Sequence, residues 1–562
     1  MTRDSISILI GGEAGQGLNT INDILCRALV RHGYSIVMEQ DYMSRVRGGH
    51  NTFTVRVSPT EILAAIEPVD LIIALNKETV DLHQKDLTDK GLVLVDAEIE
   101  TGEGSFVKVP YDDLAEKKNQ NVAALGVVGQ LLGLDSETCA QAVKDQFGDK
   151  GEKVAEKNDK ALDEGYRWAQ ENAGSSKIGL KKMSEPEKLL MMDGNQAIAM
   201  GAVTAGLKFY SFYPMTPSTS VALTLAAQME KLPIVVEQCE DEISVINMAL
   251  GASYAGVPAM CGTSGGGFAL MSETLSMVAA SETPLAMVLA QRGGPATGLP
   301  TRTEQGDLEF ALYAGHGEFP RAILAPGTVE QCFWAGRRAI ELAEASQGPV
   351  IIMTDQFLAE SLRSVRPLLI EELTPIKVGA DPDEVETPYQ RYRFTESGVS
   401  PRLIPGKSEH LVVGDSHEHY ESGHICEEAE VRTKMVDKRM KKLEVLKKEF
   451  IPPDYYGDDN PEILLMCWGS TVGAAREAVE EVQADGTKAA VLHFSQVWPL
   501  VPEKFMDKLE AATEVIAVEQ NAKSQFAGLI KKETGFEIKR SINKYDGRPI
   551  TPEYILREMG SA

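Results

Sequence analysis

The seven cysteines of this 562-residue chain, Cys26, Cys139, Cys239, Cys261, Cys332, Cys426 and Cys467, include no pair at the CxxC spacing. That excludes a zinc ribbon or iron–sulfur cluster of the usual kind and leaves isolated thiols, which mostly behave as small core hydrophobes. Long apolar runs are missing too. None reaches the roughly 18 residues needed to cross a bilayer, and the N-terminus enters a strand-like stretch without the basic and apolar regions of a signal peptide. A cytoplasmic protein with no membrane partner is expected. Positive charge is scarce: 56 Lys and Arg face 83 Asp and Glu, and the formal net charge of −27 repels phosphate backbones and argues against nucleic acid as a partner. With 43% hydrophobic and 25% charged residues the chain is composed like a folded globular protein, and its length calls for three or four domains.

Strand-like and helix-like patterns alternate three times. In residues 1–175 the strand candidates are 5–10, 35–38, 52–57, 71–75 and 92–95, with a helix at 18–31 and further helices between and after. A polar tract at 176–187 reads as a linker. In 188–370, helices at 195–205, 218–230, 241–255 and 269–280 separate short apolar strands such as 234–236 and 285–289, as in a parallel sheet covered on both faces. Residues 371–457 are irregular and end in a charged helix, where Val436, Met440, Leu443, Leu446 and Phe450 mark an apolar face with Lys and Arg opposite, expected to be solvated. The alternation restarts in 458–562, with strands at 462–468, 489–494 and 514–518 and a helix at 470–482. The expected fold class is α/β, with three doubly wound domains.

Several stretches are suited to chemistry. Tyr213-Pro214-Met215-Thr216-Pro217-Ser218-Thr219 is a small-residue turn whose hydroxyls can meet a substrate carboxylate. Glu240-Asp241-Glu242 follows at the head of an apolar helix, where Glu242 either caps the helix or holds a proton on a heterocycle; a buried carboxylate requires a partner. In Gly11-Gly12-Glu13-Ala14-Gly15-Gln16-Gly17, Gly12, Gly15 and Gly17 form a turn between strand and helix that can receive a phosphate, although the spacing is not the dinucleotide fingerprint. Arg45-Val46-Arg47-Gly48-Gly49-His50 adds cations. The loop from Arg292 to Arg302 joins glycine and proline to two arginines able to grip a carboxylate with both oxygens. Gly262-Thr263-Ser264-Gly265-Gly266 matches the nucleophile elbow, and a serine hydrolase through Ser264 would need Asp307 and His316 as partners. His410, His417, His419 and His424 cluster without any standard zinc spacing, which favours a polar surface loop; no metal site is assigned.

Taken together, GGEAGQG at 11–17, RVRGGHNT at 45–52, DGNQAIAMGA at 193–202, YPMTPST at 213–219, EDEISVINMALGASYAG at 240–256 and RGGPATGLPTRT at 292–303 resemble the 2-oxoacid:ferredoxin oxidoreductases. The resemblance is to the alpha subunit with a gamma domain fused ahead of it. It implies a gamma domain over 1–175 near coenzyme A, a pyrimidine-side thiamine diphosphate domain over 188–370 and a transketolase C-terminal-like domain over 458–562. It further implies that Glu242 is the glutamate on the aminopyrimidine ring, that Thr216 and Tyr213 lie on the substrate side, and that Arg302, with Arg292 in reserve, receives the substrate carboxylate. The diphosphate-binding GDG…N motif with its Mg2+ ligands and the cysteines for a [4Fe–4S] cluster are missing here; in the family they lie on a beta subunit. The implied enzyme is therefore a dimer of alpha–beta heterodimers that decarboxylates a 2-oxoacid to an acyl-CoA and reduces ferredoxin. The fused architecture looks most like the 2-oxoglutarate enzymes, with pyruvate or branched-chain 2-oxoacids as alternatives. A non-catalytic binding subunit is the remaining rival.

Overall fold

A computed structural model describes all residues except Met1, Asp4, Ala14, Gly15, 45–48, 148–150, Lys177, Lys182, 184–186 and 561–562. The chain divides into two compact units, one formed by 1–192 with 361–368 and the other by 193–360 with 369–562.

The first unit is built on an eight-stranded sheet. Its strands β1 (Ile6–Glu13), β4 (Val69–Ala74), β5 (Leu87–Asp96) and β6 (Phe106–Val109) run parallel, while β2 (Ser35–Asp41) and β3 (His50–Ser58) join the other edge of β1 antiparallel. The sequence pattern alone suggested uniform winding. The eight residues between β2 and β3 are too few for a crossover helix, so these strands pair as neighbours in opposite directions. Leu362–Val365 and Leu190–Met192 complete that edge. Helix α1 (Leu18–Arg31) starts and ends as the pattern predicts, and its Ile21, Leu25 and Leu29 are buried with Ile8 and Ile10 in one core. The described part of the 176–187 tract is docked: Gly179–Leu180 pairs with Thr2–Arg3, and the Ile178 amide bonds the Leu131 carbonyl.

The second unit holds two sheets. The larger has the order β8 (Val235–Gln238), β7 (Phe209–Phe212), β9 (Ala259–Thr263), β10 (Leu285–Gln291), β12 (Pro349–Asp355), β11 (Ala322–Leu324) and β16 (Gln496–Trp498), all parallel except the last. The smaller is β13 (Asp454–Gly457), β15 (Ala489–Phe494), β14 (Ile463–Trp468), β17 (Glu514–Glu519) and β18 (Arg540–Asn543), with only β13 antiparallel. In the larger sheet the chain leaves β7 to one side, for β8, and then crosses to the other, for β9. Such a reversal opens a crevice at the carboxyl ends of the strands, where open α/β sheets bind ligands. Two helices reach this crevice: α2 (Glu242–Tyr254) and α3 (Gly265–Ala280).

The charged helix is present, as α4 (Ala429–Lys448), but it buries Met435, Lys438, Arg439, Lys442 and Leu446 and leaves Met440 exposed. Charge pairing turns its basic side inward. Lys438 and Lys442 reach the fully buried Glu282 at 2.6 and 2.7 Å, and Arg439 forks onto Glu418 at 2.9 and 2.7 Å. All seven cysteines are buried and none is in a disulfide, and among the described residues no helix is long and apolar enough to cross a membrane.

Candidate active site

The crevice between β7 and β9 collects the motifs around Glu242. Past β7, the Met215 carbonyl accepts from the Ser218 amide and hydroxyl, while the Asn195 side chain donates to the Pro217 carbonyl at 2.7 Å. The Arg292 guanidinium, arriving from the end of β10, donates to the Thr216 carbonyl at 2.8 Å. These bonds occupy the turn's backbone, and the Thr216 hydroxyl makes no hydrogen bond among the described residues. Tyr213 is exposed beside it. Met215 Sδ lies 3.8 Å from the Thr263 hydroxyl at the end of β9, which joins the turn to the next strand.

Glu242 completes the cluster. Asp241 is the helix cap, its carboxylate accepting from the Ser244 amide at 2.8 Å, so Glu242 is released from that duty. The residue is only 5% exposed, and its carboxylate has no hydrogen-bond partner among the described residues. Room for it comes from Gly267, where a Cβ would lie 2.1 Å from Thr263 Oγ1 and 2.8 Å from Glu242 Oε1. A carboxylate without a hydrogen-bond partner at the wall of a cleft is free to meet a proton-bearing ligand.

Asp307 is a member of the cluster that the sequence offered only as a hydrolase acid. Burial pushes its carboxyl up to about 6 against the pull of Arg292, and its amide is bound by Gln291 Oε1 at 3.0 Å. Arg292 thus holds the Thr216 carbonyl while its charge acts on Asp307. Arg302 sits half-buried further along the same loop, its amide bound to the Leu299 carbonyl and its carbonyl accepting from the Gly293 amide. Thr263 and Asn195 were missed as site residues, because nothing in their spacing separates them from ordinary strand-end and capping residues.

The elbow at Ser264 is not a nucleophile. Ser264 is fully buried, its hydroxyl has no partner and hence no base among the described residues, and its backbone is extended (φ −119°, ψ 177°) rather than strained. In the 410–424 loop, His417 bonds Asp415, while His419 is buried against the Tyr392 ring at 3.8 Å between centroids; the other histidines remain on the loop. Among the described residues no group of three His, Cys, Asp or Glu is placed to hold a metal.

In the first unit, Gly17 opens α1 with φ 81° against Asn121, and the Gln16 side chain accepts from the Glu13 amide at 2.6 Å behind Gly12. Gly15 and Arg45–Gly48 lie outside the described residues. At the carboxyl ends of β1, β4 and β5 this turn borders a cavity of about 440 Å³ lined by Gln16, Gly17, Asp96, Lys117, Lys118 and Asn121 among others.

Comparison with known proteins finds relatives along nearly the whole chain. Residues 200–438 match the family described as pyruvate flavodoxin/ferredoxin oxidoreductase, thiamine diphosphate-binding; 7–168 match pyruvate ferredoxin/flavodoxin oxidoreductase; and 461–555 match pyruvate:ferredoxin oxidoreductase core domain II. A 2-oxoacid:ferredoxin oxidoreductase subunit alpha of Sulfolobus is 33% identical over 97% of this chain and 95% of its own length. The 2-oxoglutarate oxidoreductase subunit KorA of Mycobacterium tuberculosis is 29% identical over 100% of this chain and 92% of its own. The solved 2-oxoglutarate:ferredoxin oxidoreductase of Magnetococcus marinus, with 2-oxoglutarate, coenzyme A and succinyl-CoA bound, is similar with a TM-score of 0.93 at 31% identity, covering 99% of both chains.

Proposed function

The chain belongs to the 2-oxoacid:ferredoxin oxidoreductases as an alpha subunit, and on that premise we propose that its Glu242 crevice is the pyrimidine-side half of a thiamine diphosphate site acting on 2-oxoglutarate. The observation that carries the reading is Glu242, buried without a hydrogen-bond partner among the described residues, at a switch point of a parallel sheet. A ring nitrogen bearing a proton satisfies that carboxylate, so the residues suit the cofactor. When bound, thiamine diphosphate supplies the nucleophilic carbon and the electron sink for decarboxylation.

The chain's own residues hold and orient. The Glu242 carboxyl shares a proton with the aminopyrimidine ring. The unbonded Thr216 hydroxyl and the Tyr213 ring line the substrate side, Arg302 receives the 2-oxoacid carboxylate as a two-pronged donor, and Arg292 fixes the turn that carries Thr216. The lysine-lined cavity beside Gly12 and Gly17 suits the phosphates of coenzyme A. A beta subunit then supplies the diphosphate and Mg2+ ligands and the [4Fe–4S] cluster that passes electrons to ferredoxin, in a dimer of heterodimers. We assign 1–175 to the gamma domain, 188–370 to the pyrimidine-side domain and 458–562 to the C-terminal domain. Seven buried thiols suit a reducing cytoplasm. The preference for 2-oxoglutarate rests on the KorA relative and on the ligand of the Magnetococcus marinus enzyme.

The test is to purify the chain anaerobically with its partner and to measure coenzyme A-dependent viologen reduction with 2-oxoglutarate, pyruvate and a branched-chain 2-oxoacid. The expected result is fastest reduction with 2-oxoglutarate. A faster rate with pyruvate overturns the substrate, and no rate with any 2-oxoacid overturns the whole reading.

A further inference from the structure

The loop that carries Arg292 and Arg302 is anchored by the five-stranded C-terminal sheet. Gln305 is fully buried; its amide donates to the Gln520 carbonyl at 2.7 Å, its Oε1 accepts from the Gln520 amide at 3.0 Å, and its Nε2 donates to the Trp468 carbonyl at 2.9 Å. Gln520 in turn accepts from the Ile550 amide at 3.0 Å, which fixes the chain just past β18. Between these anchors the Thr303 amide donates to the Gly547 carbonyl at 3.2 Å.

Gly547 is where this anchoring meets Arg302. It is buried, with φ 82°, a left-handed conformation that other residues adopt only under strain. A Cβ there would stand 3.0 Å from the Arg302 Cβ, 3.2 Å from its Cγ and 3.0 Å from Leu299 Cδ1. The turn is therefore pressed against the stem of the arginine at the two atoms that set its direction.

We propose that Gly547, which contacts no substrate, is a positioning residue that aims the Arg302 guanidinium, so that the C-terminal domain sets the affinity for the 2-oxoacid carboxylate. This rests on the reading of Arg302 as the carboxylate receptor. A side chain at 547 tilts the stem, and a shift of about 1 Å at a guanidinium is enough to lose a two-pronged contact.

The experiment is a double-mutant cycle on the assembled enzyme, with KM for 2-oxoglutarate, KM for coenzyme A and kcat measured for each variant. Arg302→Ala is expected to raise KM for the 2-oxoacid about a hundredfold, in the range for truncating one partner of a charge pair. Gly547→Ala is expected to raise the same KM about tenfold, with kcat changed less than about twofold and the coenzyme A KM unchanged. In the double variant Gly547→Ala adds nothing, because the arginine it aims is gone. Gly547→Asn, which accepts positive φ more readily but still adds a Cβ, is expected to match Gly547→Ala and serves if the alanine variant does not assemble. An unchanged KM in Arg302→Ala overturns the assignment of Arg302. A raised KM in Arg302→Ala with a wild-type KM in the Gly547 variants, or effects that multiply in the double variant, overturns the positioning role alone.

Discussion

Glu242 owes its availability to its neighbours on both sides. Asp241 takes the capping bond to Ser244, and Gly267 leaves the space that the carboxylate fills, so two small local choices free one acid from structural work. Removing the acid while keeping its shape isolates the proton. Glu242→Gln is expected to lower kcat of the assembled enzyme by about 10²–10⁴, the usual range for a lost acid–base group, with complex formation intact; wild-type turnover in that variant would remove Glu242 from the chemistry. Gly267→Ala reaches the same group by another route. Its methyl would intrude on Thr263 Oγ1 at 2.1 Å and on the Glu242 stem at 2.7 Å, so kcat is expected to fall while KM for coenzyme A holds. The cluster of Thr216, Glu242 and Arg292 was legible in the sequence because each lies in a turn or helix start of unusual composition. Thr263 and Asp307 were not legible, since they enter through strand order and loop folding.

At the scale of elements, periodic patterns located most helices and strands to within a few residues: 18–31 became Leu18–Arg31 and 489–494 became Ala489–Phe494. The exception is α4, which exists where expected but buries Lys438, Arg439 and Lys442 beside Leu446 and leaves Met440 exposed. Its apolar stripe competes with two distant carboxylates, Glu282 and Glu418, whose positions no local window contains. Burial alone would raise the Glu282 pKa, but the charges of Lys442, Lys438 and Arg391 overcome it and hold the carboxyl at about 2, below its ordinary 4.5. The carboxylate's own contribution is therefore complete above pH 4.5 and is lost as pH falls through about 2. Glu282→Gln leaves Lys438 and Lys442 buried without their carboxylate and is expected to cost about 3–5 kcal/mol at neutral pH. Apparent melting temperatures followed from pH 7 downward should show the wild type's advantage narrowing between pH 4.5 and 2; a constant gap would mean that the carboxylate is not the stabilising group.

For the molecule as a whole, the crevice carries an exposed apolar rim. The helices that begin at Glu242 and Gly265 turn Ile243, Met248 and Leu270 outward, at 49%, 42% and 52% exposure, next to the buried acid. An apolar patch at the rim of a polar site marks an interaction surface rather than a finished wall, and the partner subunit that the alpha-subunit relationship implies is expected to cover it. Burying a leucine contributes about 1.5–3 kcal/mol, and an unpaired carboxylate in its place adds a desolvation cost of several kcal/mol. At about 1.4 kcal/mol per decade, Leu270→Glu is expected to weaken assembly with the partner by at least about 10³. The variant chain alone should melt with the wild type, because Leu270 packs against little of its own chain. Co-purification and a titration of partner against viologen reduction read the two effects separately. Undiminished assembly in Leu270→Glu would mean that the partner covers another face and that the acid at Glu242 is closed off by some other element.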